Sequence, residues 1–159
     1  MRITQDLRDK YKAITYNRSD CQYLSLEHFK EAPEVMERVL KNLNIKVENM
    51  DYTKVSKCFN DDLVTAHHGI IPTNKVIDLR RLTEEERNIY EIICKYYIVQ
   101  FLGAMIKEKT LGEIRVVDNL ILKGTSSKIL DYGYREFLDE IDSENEKEES
   151  SSLSSLYSG

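Results

Sequence analysis

A tyrosine and an arginine, Tyr16 and Arg18, lie two residues apart in a segment that closes in turn-forming residues. If the chain is extended there, alternation places both side chains on one face. A phenol with its usual pKa of about 10 is mostly protonated at neutral pH; a nearby cation favours the phenolate and neutralises charge on a phosphate. The pair therefore suits phosphoryl transfer, with Ser19 and Asp20 able to hold the phosphate or orient the arginine. Spacing alone is weak support, because the sequence has ten tyrosines.

Two adjacent histidines, His67 and His68, lie in a second segment, where Gly69 and Pro72 constrain the backbone. Histidine titrates near neutrality, so an imidazole here is suited to contact a phosphate. Adjacent residues seldom face the same way. We therefore expect one histidine to be functional and the other to pack or cap.

Metal and nucleotide sites have little support in the sequence. The histidines would need Cys21, Cys58 and His28 as fellow zinc ligands, but no Cys-x-x-Cys or His-x3-His spacing occurs. No phosphate-binding Gly-x4-Gly-Lys-Ser/Thr loop, Gly-x-Gly-x-x-Gly turn or Gly-x-Ser-x-Gly elbow is present. No Asp-x-Asp pair follows a strand. We predict no metal and no cofactor in this chain.

The charge of the chain is unevenly distributed. Its 159 residues carry a formal charge of −5, but residues 136–149 hold eight acids and one lysine and account for −7. The remainder is close to neutral, which neither requires nor excludes a polyanionic partner. The Glu/Ser-rich composition beyond residue 138 cannot bury a core, so residues 139–159 are predicted to form an acidic disordered tail.

The composition also favours an intracellular protein. No apolar stretch reaches the roughly 20 residues that a membrane span needs, and the first residues lack the apolar core of a secretory signal. Three widely spaced cysteines do not make a disulfide framework. We predict a cytoplasmic chain without a membrane partner.

The periodicity predicts helices before strands. Apolar residues spaced by four predict a helix within residues 2–12, and Pro33 predicts the first turn of a second helix that ends near Asn44. Thr83 and Glu86 form a capping box that opens a core helix of about 20 residues. From Glu113 the period changes to two, which predicts a strand that ends at Gly124 with residues 128–132 as its hairpin partner.

Three ordered segments together resemble the type IA DNA topoisomerases, most closely the topoisomerase III branch. Residues 14–25 read ITYNRSDCQYLS, which is similar to the active-site stretch of that branch, I-T-Y-P-R-S/T-D-S/C-R-Y-L. Residues 66–73 read AHHGIIPT and are similar to its A-H-H/E-A-I-x-P-T segment. Residues 82–101 match the helix that follows. The resemblance covers about residues 7 to 135.

The resemblance implies a role for each candidate residue. Tyr16 would attack a single-stranded DNA phosphate and become linked to its 5′ end, and Arg18 would stabilise that phosphate. His67 would contact the DNA backbone. The remaining candidate DNA-binding residues are His68, Ser19, Asp20 and Thr73. Rejoining reverses the step without ATP, and a strand passing through the gap changes DNA topology.

Three positions depart from the family pattern. Asn17 stands where proline is usual, Gln22 replaces a usual arginine, and Gly69 replaces an alanine. The first two changes loosen the backbone and remove a phosphate contact, whereas the third is mild.

The family also uses a TOPRIM domain with acidic magnesium ligands and a catalytic lysine, and nothing in this sequence resembles it. We therefore expect a fragment that works with TOPRIM and the remaining domains of a parent enzyme and is inactive alone. The predicted fold is α+β: a mainly helical tyrosine domain at 1–108, N-terminally clipped, and a small antiparallel part of a strand-rich arch at 109–138.

Two other interpretations fit parts of the sequence. A catalytically degenerate DNA-binding or interaction module derived from a topoisomerase would explain Asn17 and Gln22. A generic helical scaffold fits the composition but leaves the ordered motifs unexplained.

Overall fold

The computed structural model describes residues 2–117 and 120–138. It divides into two compact units, the first ending at Leu102 and the second beginning at Gly103. It contains helices and one two-stranded antiparallel sheet, which confirms the predicted α+β class. The proposed domain boundary at residue 108 stays a prediction. The predicted disordered tail lies outside the described residues.

Three α-helices and three 3-10 turns build the first unit. The α-helices are α1 (Arg2–Asp9), α2 (Leu26–Leu43) and α3 (Glu84–Ile98); the 3-10 turns span Asp61–Leu63, Leu79–Arg81 and Val99–Phe101. No described helix is long and apolar enough to cross a membrane.

The predicted start of α2 is wrong. The helix begins seven residues before Pro33, at Leu26, because Ser25 caps it. The Ser25 hydroxyl accepts from the His28 amide and His28 Nδ1 accepts from the Ser25 amide, which completes a capping box. Pro33 lies inside the helix on an exposed position. The helix tolerates the missing amide, since its buried face holds Ala32, Met36 and Val39 in the core.

The capping box that opens α3 is confirmed. Thr83 Oγ1 accepts from the Glu86 amide at 3.2 Å, and Glu86 Oε2 accepts from the Thr83 amide at 2.9 Å. The helix runs to Ile98 and continues as a 3-10 turn to Phe101.

An aromatic cluster fills the core beside the end of α3. Phe101 is 1% exposed and stands at the centre of the cluster. Its ring centroid lies 5.2–6.0 Å from those of Tyr52, Tyr97, Phe59 and Phe29. Such distances are those of favourable aromatic pairs, so this cluster ties α2, α3 and the irregular middle of the chain together.

A short antiparallel ladder joins two distant segments of the first unit. It pairs residues 13–15 with residues 71–73 around an isolated bridge between Ile14 and Pro72. We call it the short ladder. Ile14 and Pro72 are both buried, so core packing fixes this pairing although it is only a few residues long.

The described part of the second unit is built on one hairpin. Strand β1 (Ile106–Val117) pairs antiparallel with β2 (Leu120–Asp131), and a short helix α4 (Tyr134–Leu138) follows. The predicted single strand from Glu113 to Gly124 is wrong. Its two halves are opposite strands, so that Ile114 faces Leu122 across the ladder and Gly124 lies inside β2. Alternation is the same on both strands of an antiparallel pair, which is why periodicity alone did not separate them.

Candidate active site

The short ladder brings the tyrosine segment and the histidine segment together. The Thr15 amide donates to the Ile71 carbonyl at 3.0 Å, and the Thr73 amide donates to the Ala13 carbonyl at 3.0 Å. The Thr15 hydroxyl adds a third link by accepting from the Ile71 amide at 3.0 Å. Two motifs about fifty residues apart are therefore held side by side by backbone hydrogen bonds.

Tyr16 follows the ladder directly and is half-buried. Its ring centroid lies 4.2 Å from that of His67, with the planes tilted by 36°. The guanidinium carbon of Arg8 lies 4.8 Å from the centre of the same ring. Among the described residues, no hydrogen bond engages the Tyr16 hydroxyl. The ring therefore contacts both neighbours, while neither of them hydrogen-bonds to its hydroxyl oxygen.

The chain turns at Asn17 and Arg18, immediately after the tyrosine. The extended backbone therefore does not continue past Tyr16, and strand alternation does not apply to Arg18. The Asn17 side-chain amide donates to the Thr4 hydroxyl at 3.3 Å, which ties the turn to α1. Arg18 is exposed, and within the described part of the chain no hydrogen bond or ion pair engages it. Its guanidinium is accessible to an anion from solution.

Ser19 connects this turn to the histidine segment. Its hydroxyl accepts from the Cys21 amide at 3.2 Å and donates to the His67 carbonyl at 3.5 Å. Asp20 is exposed. Ser19 therefore links its own turn to the histidine segment. The phosphate-binding roles of Ser19 and Asp20 stay predictions.

The two histidines face different partners, as expected for adjacent residues. His67 is exposed and lies against Tyr16. His68 is half-buried, with its ring centroid 4.2 Å from that of His28 and its Nδ1 2.7 Å from the Gly69 carbonyl oxygen. This short contact to a carbonyl places the Nδ1 proton on His68. His68 thus packs within the protein, and its contact with DNA stays a prediction.

The histidine pair has an electrostatic consequence for α2. Burial lowers the pKa of His28, and repulsion from His68 lowers it further. The neutral ring can then accept at Nδ1, 2.6 Å from the Ser25 hydroxyl at the helix cap. The capping box of α2 therefore depends on a neutral histidine.

Thr73 is used by the backbone of the ladder. Its hydroxyl donates to the Lys12 carbonyl at 2.5 Å, at a position where Lys12 has a φ of 55°. The threonine thus stabilises the bend that leads into the short ladder. Its contact with DNA stays a prediction.

Gly69 is buried between the two segments. Its amide donates to the Tyr23 carbonyl at 2.7 Å. A Cβ at this position would lie 3.5 Å from the carbonyl oxygens of Cys21 and Tyr23, an ordinary van der Waals distance. The site therefore has room for an alanine, and the departure at this position is a mild one.

Metal ligands do not converge in the part of the chain that the structure describes. There, no group of three or more His, Cys, Asp or Glu side chains could hold an ion. The cysteines Cys21, Cys58 and Cys94 are free. The described residues therefore offer no ligand set for the magnesium that the resemblance implies, and we derive no step through that ion.

Arg8 is the site residue that the sequence did not indicate. It lies in the last turn of α1, eight residues before the tyrosine and outside every motif. The bend at Lys12 brings the two together, and no local spacing encodes that bend. A positively charged residue near a helix C-terminus is common, so its type gave no signal either.

Comparison with known proteins identifies the family of this chain. A profile of the DNA topoisomerase family matches residues 1–159. The chain is 34% identical to DNA topoisomerase 3 of Vibrio cholerae over 150 residues, which cover 91% of this chain and 23% of that protein. It is 34% identical to DNA topoisomerase 3 of Haemophilus influenzae over 147 residues, which cover 90% of this chain and 22% of that protein.

A third relative, DNA topoisomerase 3 of Salmonella typhimurium, is 36% identical over 118 residues, or 72% of this chain and 18% of that protein. The chain thus spans less than a quarter of the length of these curated relatives. The match to the family profile covers both motifs of the candidate site. The chain therefore belongs to the DNA topoisomerase family, and its resemblance to the topoisomerase III branch of the type IA enzymes is confirmed.

Proposed function

We propose that this chain supplies the nucleophilic tyrosine of a type IA DNA topoisomerase and that Tyr16 is that nucleophile. The observation that carries the proposal is the contact between Tyr16 and His67, 4.2 Å apart, at the end of the short ladder. It unites the two family motifs at one point of the surface. The unengaged hydroxyl of Tyr16 and the exposed guanidinium of Arg18 leave that point accessible to a phosphodiester.

The reaction is a reversible transesterification. The Tyr16 oxygen attacks the phosphorus of single-stranded DNA, and a tyrosine–phosphate bond forms as the bond from phosphorus to the 3′ oxygen breaks. The phenol loses its proton and the departing 3′ oxygen gains one. In the reverse step the 3′ hydroxyl attacks the phosphotyrosine, so no ATP is consumed. A strand passing between the two steps changes the DNA topology.

The neighbouring residues have distinct parts in this scheme. Arg18 would neutralise the charge that develops on the phosphate, because its exposed guanidinium suits a bidentate phosphate contact. His67 would contact the DNA backbone beside the tyrosine ring. Ser19 would keep the turn and the histidine segment in register through its two hydrogen bonds.

Activity needs parts of the parent enzyme that this chain does not supply. The chain spans less than a quarter of its relatives, and its described residues group no metal ligands. A TOPRIM domain would bring magnesium and the groups that move protons. The isolated chain should therefore bind single-stranded DNA weakly and should not relax supercoiled DNA.

Reconstitution tests the proposal. The chain is mixed with a TOPRIM-containing fragment of a topoisomerase III, magnesium and end-labelled single-stranded DNA, and adducts are separated on a denaturing gel. We expect an adduct with the wild-type chain and none with Tyr16→Phe. Tyr23→Phe is the matched control, because it removes a phenol from the same motif and should leave the adduct intact.

The alternative is a catalytically degenerate module that binds DNA or a protein without cleaving. Asn17 and the exposed Gln22, which replace a proline and an arginine of the family pattern, favour it. DNA binding and association of the two fragments without any adduct would support this alternative and would contradict a role for Tyr16 as nucleophile.

A further inference from the structure

We infer that Arg8 is a positioning residue that holds the Tyr16 ring in the orientation needed for attack. The inference rests on the proposed role of Tyr16. Its basis is the guanidinium of Arg8, whose central carbon lies 4.8 Å from the centre of the tyrosine ring. A planar guanidinium at this distance attracts an aromatic face and stacks on it more effectively than an ammonium does.

The backbone around Arg8 is fixed by the core. The adjacent Leu7 is fully buried, and its carbonyl accepts from the Ala13 amide at 2.8 Å. The Arg8 carbonyl accepts from the Lys12 amide at 3.2 Å. Ala13 then enters the short ladder, three residues before Tyr16. One compact loop therefore sets the distance between the arginine and the tyrosine.

Two further interactions restrict the arginine side chain. Its Nη1 donates to the Asp9 carboxylate at 3.1 Å. Its position in the last turn of α1 places the positive charge beside the negative end of the helix dipole. The guanidinium is thus confined near the Tyr16 ring, although its side chain is 41% exposed.

The ring contacts matter because no described residue forms a hydrogen bond with the Tyr16 hydroxyl. In the described part of the chain, Arg8 makes the cation contact and His67 the aromatic contact with the Tyr16 ring, and no hydrogen bond orients the oxygen. A nucleophile that samples several ring orientations reacts more slowly even when DNA is bound. Loss of Arg8 should therefore lower the rate of the covalent step more than the affinity for DNA.

Kinetics of reconstituted cleavage test this assignment. The whole chain carrying Arg8→Ala, Arg8→Gln or Arg8→Lys is combined with the TOPRIM-containing fragment, magnesium and labelled single-stranded DNA. At saturating DNA we expect the rate constant for adduct formation to fall about three- to tenfold with Ala or Gln and less with Lys, which keeps a cation. The DNA dissociation constant should change less than about twofold. Arg80→Ala, which removes the same charge from an exposed position, should change neither quantity.

A spectroscopic measurement separates positioning from DNA contact. 3-Fluorotyrosine incorporated at Tyr16 of the chain should show a shifted and narrower fluorine resonance in Arg8→Ala, because the ring becomes more mobile. Arg80→Ala should leave the resonance unchanged.

The outcomes distinguish this inference from the proposed function. A wild-type adduct with an unchanged rate and resonance in Arg8→Ala would overturn the inference alone. A rate loss matched by an equal loss of DNA affinity would show that Arg8 binds phosphate, and would also overturn it. No wild-type adduct would defeat the role of Tyr16, and with it the positioning role, whatever the resonance shows.

Discussion

The short ladder is brief but buried, whereas the β1–β2 hairpin is long but exposed. The ladder has one bridge, yet its Ile14 is 2% exposed. The hairpin has strands of twelve residues, yet Ile114 is 66% exposed, and none of the described side chains from residue 103 to 138 is buried. Regular hydrogen bonding alone makes a two-stranded sheet only marginally stable. The precision of the candidate site therefore comes from the core beneath the ladder.

Truncation of a core aromatic should show this difference most strongly. Phe101→Ala removes the centre of the aromatic cluster and should lower the free energy of unfolding by about 3–5 kcal/mol. Ile114→Ala in the hairpin should cost less than about 0.5 kcal/mol, since the side chain is already exposed. Urea denaturation followed by near-ultraviolet circular dichroism measures both. Equal losses would contradict the account.

A methyl group added to a glycine next to each region gives a smaller, local contrast. Gly133 has a φ of 49°, and a Cβ there would lie 2.5 Å from the Gly103 carbonyl oxygen. Gly133→Ala should cost about 1–3 kcal/mol of local stability through strain. It should also expose the Tyr134 amide, which donates to that carbonyl, to hydrogen exchange.

Gly69→Ala is the matched change at the candidate site. Its Cβ would meet carbonyl oxygens at 3.5 Å, so the thermal midpoint and the adduct yield should stay unchanged. A loss of stability at Gly69 as large as that at Gly133 would show that the ladder is less well packed than its burial indicates.

Mild acid should lower the stability of the first unit alone, because all three histidines of the sequence lie there. This effect should be smaller than those of the substitutions above. The pKa of His28 is lowered by burial and by His68. Between that lowered pKa and the unfolded value of about 6.5, the unfolded chain binds more protons than the folded one. The stability that neutral His28 contributes is therefore fully present above about pH 6.5 and declines as the pH falls.

The measurement is the urea midpoint of the first unit at about pH 7 and pH 5.5, above the range where most carboxylates titrate. We expect a lower midpoint at the acidic pH and unchanged amide protection in the hairpin. His28→Gln keeps an acceptor at the third helical position of the capping box and cannot be protonated. An identical pH dependence in that variant would show that His28 is not the responsible group.

The sequence predicted features that depend on local chemistry. Residue types and short spacings predict the Thr83–Glu86 capping box and the first helix, α1. They also predict that His67 and His68 face different partners. The start of α2 was missed because Pro33 is a stronger local signal than a Ser25–His28 cap, while the buried face of the helix outweighs it. The hairpin reversal was missed because alternation looks the same on both strands.

The geometry of the candidate site needed the tertiary structure. The motifs identified Tyr16 and His67, but the contact between their rings depends on the short ladder that holds the two segments together. The contact of Arg8 depends on the bend at Lys12, whose positive φ no residue type demands. Alternation was a poor guide to Arg18, because the extended segment stops at the tyrosine.

The most direct test of the central claim is to identify the tyrosine that carries DNA in the reconstituted mixture. The adduct is digested with nuclease and protease, and the nucleotide-bearing peptide is sequenced by mass spectrometry. We predict a nucleotide on Tyr16 and on no other of the ten tyrosines, with the same result in Tyr23→Phe. A nucleotide on another tyrosine, or no modified peptide from fragments that associate and bind DNA, would contradict the claim that the short ladder presents Tyr16 as the nucleophile.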